Sequence, residues 1–437
     1  MANWKKIGGG VAAVAVIAAA GAGWWAWDTL DTSRSDVADD SVTLAEFKAD
    51  PEAVARGEYV MRTGDCAACH TRESGSFAGG YEIATPFGVL VSSNITPDAT
   101  GIGAMTERDF FNALRQGLGQ HGPLYPAMPY TAYKNLSDGD MHDLWAYMST
   151  VPPVQNDIDE TAGMKFPFNI RLAMVGWDML FFDNAGYAPD ASQDEVWNRG
   201  KYIVDGGGHC SACHSPRNIL SGEVASQYLQ GGSLGTSYAP EITSNEYLGL
   251  GAQSVDSIAQ YLRTGTNGVE VAAGPMAEAI EHSLQHMTED DLVAVATYLK
   301  TVPGSDAVRP EPLAAESDAM KRGALEYEVS CSACHGPHGE GMGLLAPAFA
   351  GNAAMLSPDI TNLTHALMVG GRAVSSHESP TGAGMPSFAW KYSDRQLAEI
   401  LDYVRNSWGN AAPPVDVADV AKMRADTQAR DKLAIPQ

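Results

Sequence analysis

Cys66-Ala67-Ala68-Cys69-His70 decides the reading of this chain, because the pattern returns as Cys210-Ser211-Ala212-Cys213-His214 and as Cys331-Ser332-Ala333-Cys334-His335. C-x-x-C-H is the attachment signature of c-type haem. Its two thiols form thioethers to the vinyl groups, and the adjacent histidine is delivered to the iron. Three copies imply three covalently bound haem c groups, on Cys66, Cys69 and His70, on Cys210, Cys213 and His214, and on Cys331, Cys334 and His335. A structural zinc wants four ligands, commonly from paired C-x-x-C knuckles. Here each cysteine pair stands more than a hundred residues from the next, and the motifs use up all six cysteines. None is left for a disulfide, an iron-sulfur cluster or a nucleophilic thiol.

Around each motif the same organisation recurs. Arg56-Gly57-Glu58-Tyr59 leads into the first, Arg199-Gly200-Lys201-Tyr202 into the second, and Arg322-Gly323 with Tyr327 into the third. These stretches predict an opening helix that ends at the haem. A closing helix is predicted from capping boxes at Ser137 to Asp140, Thr288 to Asp291 and Ser393 to Gln396. Tyr147, Tyr298 and Tyr403 each stand ten residues after the cap, and equal offsets in three places are an internal repeat. Val151-Pro152-Pro153 and Val302-Pro303-Gly304 read as stops and linkers. The Gly- and Pro-rich stretches 79–133, 222–275 and 336–386 read as loops around the porphyrins.

The chain of 437 residues is long enough for three domains, and 45% hydrophobic content with 19% charged residues suits globular cores. Its 53 acids against 28 bases leave a formal charge of −25, which repels nucleic acid phosphates and excludes that class of partner. Haem attachment through thiols takes place outside the bacterial cytoplasm, so the cysteine usage points to the periplasm.

Residues 7–27 (IGGGVAAVAVIAAAGAGWWAW) carry no charge. As a helix they would span about 31 Å at about 1.5 Å per residue, the thickness of a hydrocarbon core. Lys5 and Lys6 precede the run and five aspartates follow between 28 and 40, so positive-inside logic puts the haem domains outside, with Trp24, Trp25 and Trp27 at the interface. A cleaved signal peptide is the rival reading, with small residues at Ala18-Ala19-Ala20 and Ala20-Gly21-Ala22. Residues 165–182 (KFPFNIRLAMVGWDMLFF) are apolar but carry Lys165, Arg171 and Asp178, so they do not span; they read as a helix packed on its neighbours or as a membrane or partner contact.

The expected fold class is mainly α, an N-terminal transmembrane helix followed by three tandem cytochrome c domains. The expected divisions are an anchor at 1–28, an acidic linker at 29–50, domain one at 51–153, and a connecting segment with an apolar helix at 154–192. Domain two then takes 193–303, a linker 304–315, domain three 316–410 and a C-terminal tail 411–437.

A haem that only carries electrons needs its second axial position filled, and a thioether there raises the potential. Met128 lies in Tyr125-Pro126-Ala127-Met128-Pro129, Met276 in Gly274-Pro275-Met276 and Met385 in Gly384-Met385-Pro386. Recurrence of a methionine beside a proline shortly before each closing helix marks these three as candidate ligands. The competitors are His121 or His142, His282 or His286, and His365 or His377; Met105, Met287 and Met355 break the pattern. His209 reads as a neighbour of the second motif and His338 as a solvated loop residue. With three filled irons no open site remains for a peroxidase or reductase. No dinucleotide fingerprint, phosphate loop or nucleophile elbow occurs either. The reading names no catalytic residue: the chain moves electrons.

Further stretches carry a resemblance: Ala78-Gly79-Gly80 with Thr85-Pro86-Phe87-Gly88, Ser93-Asn94-Ile95-Thr96-Pro97-Asp98, Leu124-Tyr125-Pro126-Ala127-Met128-Pro129-Tyr130, His214-Ser215-Pro216-Arg217-Asn218, Met385-Pro386-Ser387-Phe388 and Asn406-Ser407-Trp408-Gly409-Asn410. From about residue 50 to 410 the chain resembles the triple-haem cytochrome c subunits of membrane-bound, quinone-reducing dehydrogenases of acetic acid bacteria. The resemblance implies axial pairs of His70 with Met128, His214 with Met276 and His335 with Met385. It implies a large substrate-oxidising subunit, with a small subunit beside it, that passes electrons through the haems to ubiquinone. A retained N-terminal anchor looks more like the cytochromes that accompany molybdenum aldehyde dehydrogenases than like the PQQ-dependent alcohol branch. The expectation is therefore the aldehyde branch, at the bacterial inner membrane with the haem domains on the periplasmic side. The alternative is a freestanding membrane-tethered cytochrome c shuttle to a terminal oxidase.

Overall fold

The computed structural model describes residue 21, residues 31–343 and residues 345–434. The expected anchor run, 7–27, lies outside the described residues except for Gly21; among the described residues no helix is long and apolar enough to cross a membrane. The fold is mainly helical with short antiparallel ladders. It parts into two compact units, one running to Pro189 and taking in Asp205–His209, the other made of Asp190–Val204 and the chain from Cys210 on.

In the first unit α1 (Pro51–Thr63) starts where the Asp50 side chain accepts the Ala53 N–H, with Pro51 at the first helical position, where a missing N–H costs nothing. The motif itself is α2 (Cys66–His70). A hairpin of β1 (Glu82–Thr85) and β2 (Gly88–Val91) follows, then α3 (Glu107–Gln116), the ladder of β3 (Leu118–Gly119) and β4 (Gly122–Pro123), α4 (Tyr130–Tyr133) and α5 (Asp138–Met148). β5 (Gly163–Met164) pairs with β2, and α6 (Ala173–Phe181) comes last. Helix α1 meets α5 backbone to backbone: a Cβ on Gly57 would fall 1.8 Å from the Asp143 carbonyl oxygen, so only glycine permits the approach. Beside it, the Arg56 guanidinium donates twice to the Asp143 carboxylate, at 2.7 and 2.8 Å.

In the second unit this construction occurs twice more. The second copy has α7 (Glu195–Asp205), α8 (Ser211–His214), the ladder of β6 (Gly232–Ser233) and β7 (Tyr238–Ala239), α9 (Val255–Thr264), α10 (Pro275–His282) and α11 (Glu289–Leu299). A Cβ on Gly200 would meet the Ala294 carbonyl oxygen at 2.0 Å, and Arg199 donates twice to Asp291, both at 2.7 Å. The third has α12 (Asp318–Ser330), α13 (Ser332–His335), α14 (Thr361–Val369), the ladder of β8 (Gly371–Arg372) and β9 (Gly384–Met385), and α15 (Asp394–Arg405). There a Cβ on Gly323 would meet the Glu399 carbonyl oxygen at 2.1 Å, and Arg322 donates to the Glu399 carboxylate at 3.0 and 2.7 Å. Within this unit the copies are stitched by main-chain bonds from Val374 N–H to Ala272 and from Ala348 N–H to Val269, at 3.1 and 2.9 Å. Val374 is buried among Ala272, Ala277 and Ile280 at that seam.

The closing helices begin as the capping pattern predicts. Ser137 accepts from Asp140 N–H, Thr288 from Asp291 N–H, and Ser393 with Gln396 closes a reciprocal box. Three expectations need correction. Each stretch expected to loop around the porphyrin carries a helix of nine or ten residues, α3, α9 or α14, the first with α4 after it, and α3 has its own box at Thr106 and Asp109 ahead of buried Phe110, Phe111 and Leu114. The acidic linker is packed down: Leu44 is buried, its N–H bonded to the Met105 carbonyl at 2.9 Å. The C-terminal tail forms α16 (Val417–Ala434), pinned by buried Val420 and by Arg424, which donates to Asp394 and to the Ala389 and Tyr392 carbonyls.

Candidate haem sites

Each motif is a short helix, and in α2 the positions of Cys66, Cys69 and His70 at i, i+3 and i+4 put both thiols and the imidazole on one face. One porphyrin bound through two thioethers and one iron ligand needs that arrangement. None of the six cysteines is in a disulfide. Burial pushes the Cys66 thiol up to about 12 and the Cys331 thiol up to about 11. Buried, protonated thiols of this kind are not nucleophiles in the free chain.

The histidines show the most exacting feature. Nδ1 of His70 lies 2.7 Å from the Ser93 carbonyl oxygen, Nδ1 of His214 lies 2.7 Å from that of Pro240, and Nδ1 of His335 lies 3.0 Å from that of Pro347. A carbonyl only accepts, so Nδ1 carries the proton and donates it, leaving the Nε2 lone pair for a metal. Burial holds all three imidazoles below the usual histidine value, opposed by these same hydrogen bonds. They are therefore neutral near pH 7, as ligation requires.

The main chain of each motif histidine is held as well. The carbonyls of His70, His214 and His335 accept from the N–H of Gly79, Gly231 and Gly341 at 2.8, 2.7 and 2.9 Å. These glycines have φ of 72°, 94° and 71°, a region that other residues enter only at a cost. In the third copy Phe349 also stacks on the His335 ring, with centroids 4.2 Å apart. The residues present fit a covalent haem in each copy; when bound, that group supplies a reversible one-electron iron couple.

The candidate distal residues are placed as follows. Met128 is half-buried before α4, its N–H bonded to the Tyr125 carbonyl at 3.0 Å; Met276 is the second residue of α10; Met385 ends β9 against the cluster of Leu367, Leu397 and Leu401. Met276 touches both the core of its own copy and the seam around Val374. Of the competitors, His142 is bound to Glu107 through Nδ1 at 2.6 Å, and His286 meets His377 edge-on at 5.3 Å. His121, His282 and His377 are exposed, and His365 is half-buried on α14. Met105, Met287 and Met355 are buried. His209 is half-buried in the first unit against Tyr133, and His338 is exposed. Reading the sequence missed Ser93, Pro240 and Pro347, because a backbone acceptor leaves no mark in residue type. The glycines behind the histidines carry a signal, but their distance from the motif varies.

Comparison with known proteins gives the family. The cytochrome c family model matches residues 320–408, and the model for cytochrome c oxidase, cbb3-type, subunit III matches residues 52–148. The gluconate 2-dehydrogenase cytochrome c subunit of Pantoea cypripedii is 40% identical over 408 residues, covering 88% of this chain and 92% of that protein. The fructose dehydrogenase cytochrome subunit of Gluconobacter japonicus is 38% identical over 403 residues, with 85% and 83% covered. The alcohol dehydrogenase (quinone) cytochrome c subunit of Gluconacetobacter polyoxogenes is 37% identical over 398 residues, with 86% and 85% covered. Thiols, neutral histidines and full-length relatives converge: the chain belongs to the family of cytochrome c subunits of quinone-linked dehydrogenases.

Proposed function

We propose that this chain carries electrons from a large substrate-oxidising subunit, through three haem c groups, to ubiquinone, on the periplasmic side of the bacterial inner membrane. One observation carries the reading: the clamped, neutral, Nε2-directed histidine occurs three times, at His70, His214 and His335, each beside a C-x-x-C pair. Met128, Met276 and Met385 complete the irons as distal ligands, which leaves no open position for substrate. The test is the haem content and spin state of the purified full chain. Three haems per chain, all low-spin, are expected; fewer haems or a high-spin iron in the resting protein would contradict it.

The nature of the partner divides two readings. The uncharged run 7–27, read as a retained anchor, supports the aldehyde branch with a molybdenum partner. Gluconate, fructose and alcohol, the substrates in the relatives' names, all carry hydroxyl groups and support a hydroxyl-oxidising partner instead. We adopt the second, since it rests on similarity along most of the chain rather than on one terminal segment. Metal and cofactor analysis of the co-purifying subunit separates them: molybdenum would restore the aldehyde reading, while PQQ or a flavin would support the adopted one.

A further inference from the structure

Segment 166–180 of the first unit turns its apolar side chains outward and its charges inward. Phe166, Leu172 and Leu180 are 80%, 72% and 61% exposed, and Phe168 and Ile170 are exposed beside them. Leu172, which caps α6, and Gly176 and Leu180 on it fall at i, i+4 and i+8, one stripe along the helix, and all three positions are exposed. The two charged residues between 166 and 182 do the opposite. Arg171 is bound to Glu160 and lies over the Tyr125 ring at 5.5 Å, while buried Asp178 accepts the Tyr130 hydroxyl at 2.6 Å. In a chain with 53 acids and 28 bases, this concentration of exposed apolar side chains, with Lys165 exposed at its edge, marks a contact site rather than a solvated face.

The place where the N-terminal run joins the described chain identifies the occupant. Asp31 is fixed beside the end of this segment: its carbonyl accepts from the Asn184 side chain at 3.1 Å and from the Gln116 side chain. Asn184 follows α6 by three residues. Only residues 28–30 separate Asp31 from the uncharged run 7–27 in the sequence, so the described chain starts at the end of this segment. From these observations we propose that the face formed by Phe166, Phe168, Ile170, Leu172 and Leu180 rests in the interfacial layer of the membrane, as a second contact beside the N-terminal run. The face lies on the bilayer and does not cross it, since α6 has only nine residues. It holds the first unit against the lipid surface at a fixed orientation, which a single point of attachment would not do. The inference rests on the membrane reading of residues 7–27.

The test is photolabelling of the full-length haem-loaded chain in vesicles of phosphatidylethanolamine and phosphatidylglycerol, using a carbene probe carried on a lipid tail and peptide mapping by mass spectrometry. Label on both 7–27 and 166–180 is the expected result. Label on 7–27 alone overturns the second contact while leaving the anchor reading intact. Label on 166–180 alone supports the contact and overturns the anchor; label on neither overturns both. Leu172→Asp combined with Leu180→Asp replaces exposed side chains and so spares the core; it is expected to abolish label in the segment, keep it in 7–27 and leave the haem spectrum unchanged. Label in 166–180 that vanishes once the dehydrogenase complex is assembled would show a protein partner on this face and overturn the lipid contact.

Discussion

His70 Nδ1 lies 2.7 Å from the carbonyl oxygen of Ser93, and this bond fixes Nε2 as the ring nitrogen left free to bind a metal. With the histidine carbonyl held by Gly79 N–H at 2.8 Å, the ring is restrained from both ends. The same pair of restraints at His214 and His335 makes the proximal side of each site rigid before any cofactor chemistry begins.

The distal side is tested by Met385→Ala. Loss of the thioether is expected to turn the third haem high-spin and lower its potential, because sulfur ligation favours ferrous iron. An unchanged absorption spectrum would show that another residue is the ligand.

The glycine of each opening helix tests the backbone contact. Gly323→Ala puts a Cβ 2.1 Å from the Glu399 carbonyl oxygen, with no flexible atom to yield. A loss of about 3 kcal/mol or more is expected, read as a lowered unfolding midpoint of the third domain. Stability equal to the parent would show that α12 and α15 can separate freely.

Removing the paired arginine has a separate cost. Glu399 is buried, and Arg322→Ala strips it of two donors at 3.0 and 2.7 Å. The expected loss is about 1–3 kcal/mol by denaturant titration. Arg322→Lys, which keeps the charge and loses the fork, is expected to recover only part of it.

Asp178 gives a pH dependence with a definite sign. Burial raises its carboxyl from 3.8 to about 6, opposed by the hydroxyl of Tyr130. Between these values the folded chain holds a proton that the unfolded chain has released, so this group's contribution is fully present below pH 3.8 and is lost as pH rises through about 6. Asp178→Asn keeps an oxygen for Tyr130 and removes the titration. The variant is expected to be more stable at pH 7 by about 3 kcal/mol and to come close to the parent near pH 4. Equal midpoints at both pH values would contradict the assignment.

Much of this architecture was legible in the residues, because it rests on side chains at fixed offsets. The C-x-x-C-H helices, the caps at Ser137, Thr288 and Ser393, and the Arg-Gly pairs all announce themselves. What the Arg-Gly pairs do was not legible. Asp143 and Glu399 stand six residues after their caps, whereas Asp291 stands three after Thr288, with Ala294 at the sixth position. The acid has moved one turn along the same face in the second copy, which keeps the contact and breaks the pattern in sequence. The helix α16 was missed for a related reason: its hold on the third domain comes through Arg424 reaching main-chain carbonyls, and no periodicity reports that. The exposed face at 166–180 was recognised as apolar, but only the structure shows Arg171 and Asp178 turned inward.

The central claim is passage of electrons through this chain from a dehydrogenase to ubiquinone. It is tested by stopped-flow spectroscopy on the native complex in mild detergent, following the haem bands as substrate and then a ubiquinone analogue are added. The account predicts reduction of the haems by substrate and their reoxidation by the quinone at a rate that sustains turnover. Haems that stay oxidised in the presence of substrate while the quinone is still reduced would place the electron path outside this chain.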